Sequence, residues 1–239
     1  LLLVRHRLFA RESFPAWRWI RKGAPYLLKV AGPAFGTSFL WQTGYMVLYV
    51  ITASLPFGKV NALAGLTTGL RVESILFLPA VAFSMTASVL VGHALGEGNP
   101  REAKRTLLAT LGIACAGMSL VGAAIWPWRM ELAGLIAPDP AVQIETANYL
   151  SYNILAVPFT VASVVLAGGL NGAGATVYPL VSFSAAVWLV RLPIAWLFGH
   201  VLWQDAAGVY LSTLVSQVVM SLSLLWTRFA LTARHPSSR

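Results

Sequence analysis

The chain alternates between long apolar runs and short polar breaks. Six runs stand out, at about residues 32–55, 62–95, 106–126, 146–170, 177–198 and 208–231. Each reaches or exceeds the ~20 apolar residues a helix needs to cross a bilayer. None has the strict alternation of a half-buried strand. The pattern predicts an all-α membrane protein of six transmembrane helices. The second run is too long to cross straight, and Pro79 within it is expected to kink it. Pro56 to Lys59 reads as a tight turn, and the stretch from Gly168 to Gly174 as a short break between two helices.

Composition agrees. Hydrophobic residues make up 57% of the 239, charged residues only 10%, and mean hydropathy is +0.71. A soluble domain carries about 25% charged residues. The bilayer is the solvent that tolerates this balance.

The net charge of +9 invites a nucleic-acid reading, but its placement argues against one. With the first residues cytoplasmic, seven basic residues fall in 1–30, three around 96–105 and three after Thr227. Only Lys59 and Arg129 face the other side, while Arg71 and Arg191 lie within helices. Basic residues concentrate on the cytoplasmic side of membrane proteins. The charge therefore follows topology, and both ends of the chain are expected to be cytoplasmic. On this division residues 1–30 form a cytoplasmic linker, 31–232 the six-helix lobe and 233–239 a cytoplasmic tail. The order of Leu1–Val4 before Arg5 suits the end of a preceding helix better than a signal peptide. Pro15 to Lys22 mixes aromatic and basic residues, as a segment lying on the inner surface does. An ordinary linker has the same composition.

Few residues carry chemistry. Glu73 is the one acidic side chain well inside a spanning run. A carboxylate there is costly unless paired, protonated or hydrated, and marks either an ion or cation site or a structural ion pair. Arg71 is two residues away and points elsewhere on a helix. Arg191, at a matching depth, is the better partner. Gln42 and Tyr45 share one face of the first helix, either lining a cavity or bonding neighbouring helices. Asn148, Tyr152 and Asn153 open the fourth helix in a similar way. Cys115 alone supports neither a disulfide nor a metal site. The four histidines are scattered, and no HExxH, CxxC or GxSxG motif occurs. No enzyme, cofactor or metal centre is indicated.

Several strings resemble the MATE (multidrug and toxic compound extrusion) family. Val91-Gly-His-Ala-Leu-Gly-Glu-Gly-Asn-Pro-Arg-Glu-Ala-Lys-Arg resembles its VGQxxGAGxxxxAxR stretch. Gly169-Leu-Asn-Gly-Ala-Gly-Ala-Thr resembles its LRGxGDT turn, and Leu135-Ile-Ala-Pro-Asp-Pro-Ala-Val its LFxxDxxV segment. Gly32-Pro33 and Arg191-Leu-Pro also fit, in register with six helices. The resemblance implies the C-terminal half of a twelve-helix transporter of two lobes, working against an N-terminal six-helix lobe. It implies an antiporter in a bacterial inner membrane, surrounded by lipid. Such a transporter exports organic cations and drugs in exchange for H⁺ or Na⁺, that ion taking the place of a cofactor.

The chain departs from the pattern at Gln42, where the family often has Glu, and at Asn171 and Ala175, where it has Arg and Asp. No acid occurs from Ala147 to Gly174. Arg71-Val-Glu73 resembles an RxE string of some members and favours Glu73 as the ionisable group. The candidate binding residues are thus Glu73, Arg71, Gln42, Tyr45, Arg191 and Asn171. Two other readings stay open: a lipid-linked oligosaccharide flippase of the same superfamily, and a truncated membrane protein that transports nothing. The flippase would need a cationic cavity, for which only Arg71 and Arg191 are available.

Overall fold

The computed structural model describes residues 17–234. It holds six long helices and one short one: α1 (Trp17–Ala53), α2 (Lys59–Gly96), α3 (Pro100–Ile125), α4 (Arg129–Ile136), α5 (Pro140–Gly172), α6 (Val177–Leu202) and α7 (Ala206–Arg234). No strand occurs among the described residues. Residues 1–16, with the stretch read as the end of a preceding helix, lie outside them, as do residues 235–239.

Five stretches are long and apolar enough to cross a membrane: α2, α3 with its continuation to Ile136, α5, α6 and the part of α7 up to Thr227. The first helix is not among them. Its first half carries Arg18, Arg21, Lys22 and Lys29, and its second half Gln42 and Tyr45.

Helix ends depart from the apolar runs. α1 begins by Trp17 rather than near residue 32, so residues 17–30 are helical and continuous with the first helix. The connection before α3 shrinks to 97–99, and the segment from Trp126 folds into a 3₁₀ turn (Trp126–Trp128) and α4. Hydropathy marks where a chain enters hydrocarbon. A helix continues into water wherever Arg, Lys, Glu and Ala favour it.

The turns show why these ends are sharp. After α2, Gly98 takes φ 73°, Asn99 N–H bonds Ala94 C=O at 2.9 Å and Gly98 N–H bonds Leu95 C=O at 3.0 Å. After α5 the same pair recurs: Ala175 to Leu170 at 2.9 Å and Gly174 to Asn171 at 3.0 Å. Both are Schellman closures, which place a left-handed residue where only glycine avoids strain. Asn99 and Asp139 then cap α3 and α5, accepting from Glu102 N–H at 3.1 Å and Ala141 N–H at 2.9 Å. Each is followed by proline at the first helical position, where its missing N–H costs nothing.

α5 is the centre of the lobe. Most of its surface is buried against α2, α3, α4 and α7. The other helices turn large apolar side chains outward, as α2 does with Ile75, Leu78, Met85 and Val89, each at least 65% exposed. A stripe of that size belongs in hydrocarbon.

The α2–α5 pair is held by two reciprocal small-residue motifs. Gly65 and Gly69 of α2 receive Glu145 and Tyr149 at the start of α5. Gly168 and Gly172 of α5 lie on the backbone of Ser84 and Ser88 in α2. A Cβ at Gly69 or Gly168 would overlap its neighbour. Such spacing lets membrane helices approach at backbone contact. Ser84 adds a bond across the pair, donating to Val164 C=O at 2.8 Å.

Candidate functional site

Glu73 lies in α2 one turn beyond Gly69. There the close α2–α5 approach brings α5 side chains to it: Tyr149 donates its hydroxyl proton to Glu73 Oε2. Asn153, one turn further along α5, lines a narrow pocket together with Glu73 and Thr160. On its other side Glu73 faces a cavity of about 320 Å³ walled by Trp41, Gln42, Tyr45, Tyr49 and Phe77.

Arg191 does not pair with Glu73. Its guanidinium lies 5.0 Å from the Trp41 ring centre and 5.2 Å from that of Tyr45. Its Nε donates to Ser216 Oγ of α7 at 2.8 Å. It is 1% exposed, and Nη1 has no hydrogen-bond partner. No contact ion pair forms between the two residues, and Tyr45 stands as their shared neighbour.

The backbone explains the aim. Over Ala186–Arg191 the helix widens to a π turn, and Pro193 follows. Proline removes an N–H and crowds the preceding turn, and π turns of this kind redirect side chains near functional sites. A uniform α-helical register cannot anticipate that shift.

A second cavity of about 430 Å³ adjoins the first across Trp41, Gln42 and Phe77. Its polar lining includes Ser84, Thr160, Asn171 and Gln217, with no acidic residue.

The candidates therefore divide. Glu73, Tyr45 and Gln42 share one cavity, Gln42 and Asn171 share the other, and Arg191 is sealed behind Trp41 and Tyr45. Arg71 is exposed and lines neither cavity. The sequence did not single out Tyr149, Trp41 or Phe77. The usable signal for Tyr149 was the Gly65/Gly69 spacing, since something bulky has to fill the groove glycines leave.

Five helices long and apolar enough to cross a membrane, with the half-buried Glu73 carboxylate and the buried Arg191 guanidinium set among aromatic rings, define a multi-pass membrane protein. The MatE family model matches residues 33–197, and the chain belongs to that family. A probable multidrug resistance protein NorM of Rhodopseudomonas palustris is 31% identical over 210 residues, which cover 86% of this chain and 44% of the relative. The multidrug resistance protein PmpM of Pseudomonas aeruginosa is 27% identical over 83% of this chain and 42% of its own length. Among solved structures, a MOP superfamily transporter of Pyrococcus furiosus superposes with a TM-score of 0.83 at 18% identity, over 95% of this chain and 50% of that one. The chain thus spans less than half the length of the curated relatives it matches.

Proposed function

We propose that this lobe forms one wall of a drug-efflux pathway that exports organic cations across a bacterial inner membrane, with Glu73 as the ionisable coupling group. The observation that carries the reading is Glu73 at the edge of an aromatic cavity of about 320 Å³. A carboxylate among Trp and Tyr faces attracts cationic, flat molecules by charge and by cation–π contact. The names of the multidrug-resistance relatives support drug export. On this reading a second six-helix lobe supplies the opposite wall, and the ends of the chain lie on the cytoplasmic side, as the distribution of basic residues favours.

The coupling ion in this reading is H⁺. Arg191 already places a permanent positive charge beside Tyr45, close to the carboxylate. A bound Na⁺ would meet its repulsion at low dielectric, whereas a proton simply neutralises Glu73. The residues beside Glu73 offer no second carboxylate to hold a metal ion.

Ethidium efflux by the full protein in proteoliposomes tests this. An imposed proton gradient should drive efflux, a Na⁺ gradient alone should not, and Glu73→Gln should abolish it. Full efflux from Glu73→Gln, or Na⁺ as the driving ion, sinks the proposal.

A further inference from the structure

Tyr149 is held from three directions. Its hydroxyl donates to Glu73. Its ring lies so close to Gly69 that a Cβ there would strike three ring atoms. Tyr210 of α7 meets the same ring edge to face, with centroids 5.4 Å apart and planes at 85°. Both tyrosines are fully buried, at 1% and 0% exposure.

Tyr210 is itself fixed at its far end. Its hydroxyl lies 3.1 Å from Glu145 Oε2 and 3.3 Å from Ala62 C=O, a single proton facing two acceptors. Glu145 sits on Gly65, one turn before the Gly69–Tyr149 contact. Two glycines four apart on α2 thus seat two residues four apart on α5. The α7 tyrosine locks both, one by hydrogen bond and one by ring contact.

We propose that Tyr210 is a positioning residue for Glu73, acting through Tyr149, and that Glu145 completes the device by fixing the Tyr210 hydroxyl. The inference rests on the reading of Glu73 as the coupling group. A tyrosine ring turns about two torsions, and one hydrogen bond at its tip does not fix both. Gly69 closes one direction of swing, and the Tyr210 edge, worth about as much as a good aromatic pair, closes another. The donated proton favours the charged form of Glu73, so whatever holds Tyr149 in place sets how readily that carboxylate takes up a proton.

The groups facing each member are few. Around Glu73 they are Tyr149 and Asn153 from α5 and Tyr45 and Tyr49 from α1, with Arg191 of α6 acting from behind Tyr45. Around Tyr210 they are Glu145, Tyr149 and Tyr152 from α5, with Asp205 before α7.

Carbodiimide labelling of Glu73 in membranes carrying the full protein, read by mass spectrometry over a pH series, follows the protonated carboxyl directly. Tyr149→Phe should move the labelling midpoint upward by roughly one pH unit, because a donor to the charged form is lost. Tyr210→Leu should move it the same way by about half as much, while Tyr210→Phe, which keeps the ring, stays nearer the parent. The pH profile of efflux should move in step.

A midpoint unchanged in Tyr210→Leu, in protein that still elutes as a folded species, overturns the proposal. So does an unchanged midpoint in Tyr149→Phe. Should Tyr210→Leu fail to fold, Tyr210→Met, which also removes the ring but fills more of its space, replaces it: a shift about the size expected for Tyr210→Leu supports the device, and none refutes it. Failure of the coupling assignment looks different, since Glu73→Gln would then transport normally whatever the labelling midpoints do.

Discussion

The Arg191 guanidinium rests 5.0 Å from the centre of the Trp41 ring and makes no contact with Glu73. Arg191 ends a π turn, and the Trp41 and Tyr45 rings of α1 cover its guanidinium. Arg191 acts on the site as a fixed field, while Glu73 stays open to the cavity.

That placement depends on shape as well as charge. Arg191→Lys keeps the charge but loses the flat face that covers Trp41 and Tyr45 and the Nε bond to Ser216. We expect a loss of about 1–3 kcal/mol, seen as a lowered unfolding temperature in detergent. An unchanged melt would show that the cage adds nothing.

Helix contact at the glycines should be equally demanding. Gly168→Ala drives a methyl into the Ser84 backbone and should cost about 1–3 kcal/mol. Gly112→Ala serves as the control. Nothing lies within 4 Å of a Cβ there, and alanine is the better helix former. Its melting temperature should hold or rise. Equal losses in both variants would refute the packing argument.

Gln42 lines both cavities. Gln42→Ala should raise the apparent KM for ethidium about three- to tenfold through lost polar contact, with the Glu73 labelling midpoint unchanged. A midpoint that moves with KM would place Gln42 with the ionisable group.

Orientation follows from two exposed turns. In a Cys115→Ser background, an impermeant maleimide should label Phe57→Cys from outside intact cells. It should reach Glu97→Cys only after permeabilisation. Both sites exposed to the same side would refute the topology.

Much of the fold was legible because hydrocarbon imposes one rule along each run, and all six runs reappear as helices. Their ends were not legible: Trp17, Pro100 and Pro140 begin helices outside the apolar runs, where capping and propensity replace hydropathy. Glu73 stood out because a carboxylate amid Leu, Val and Ile has few reasons to be there. Tyr149 and Tyr210 did not, since aromatic residues near helix ends look alike whether they anchor an interface or hold a carboxylate. Arg191 was visible as a buried cation, but its neighbours depended on a π turn that side-chain periodicity does not reveal.

The two glycine pairs have a mechanical consequence. With backbone meeting backbone at Gly65, Gly168 and Gly172, and the Tyr149 ring seated on Gly69, α2 and α5 form a stiff beam that bends only by breaking close contact along much of its length. α1 has no such joint to that beam and packs chiefly along α6. The rings and amide that face Glu73 from α1, those of Trp41, Gln42 and Tyr45, thus stand on a helix less firmly joined to the beam than α5 is.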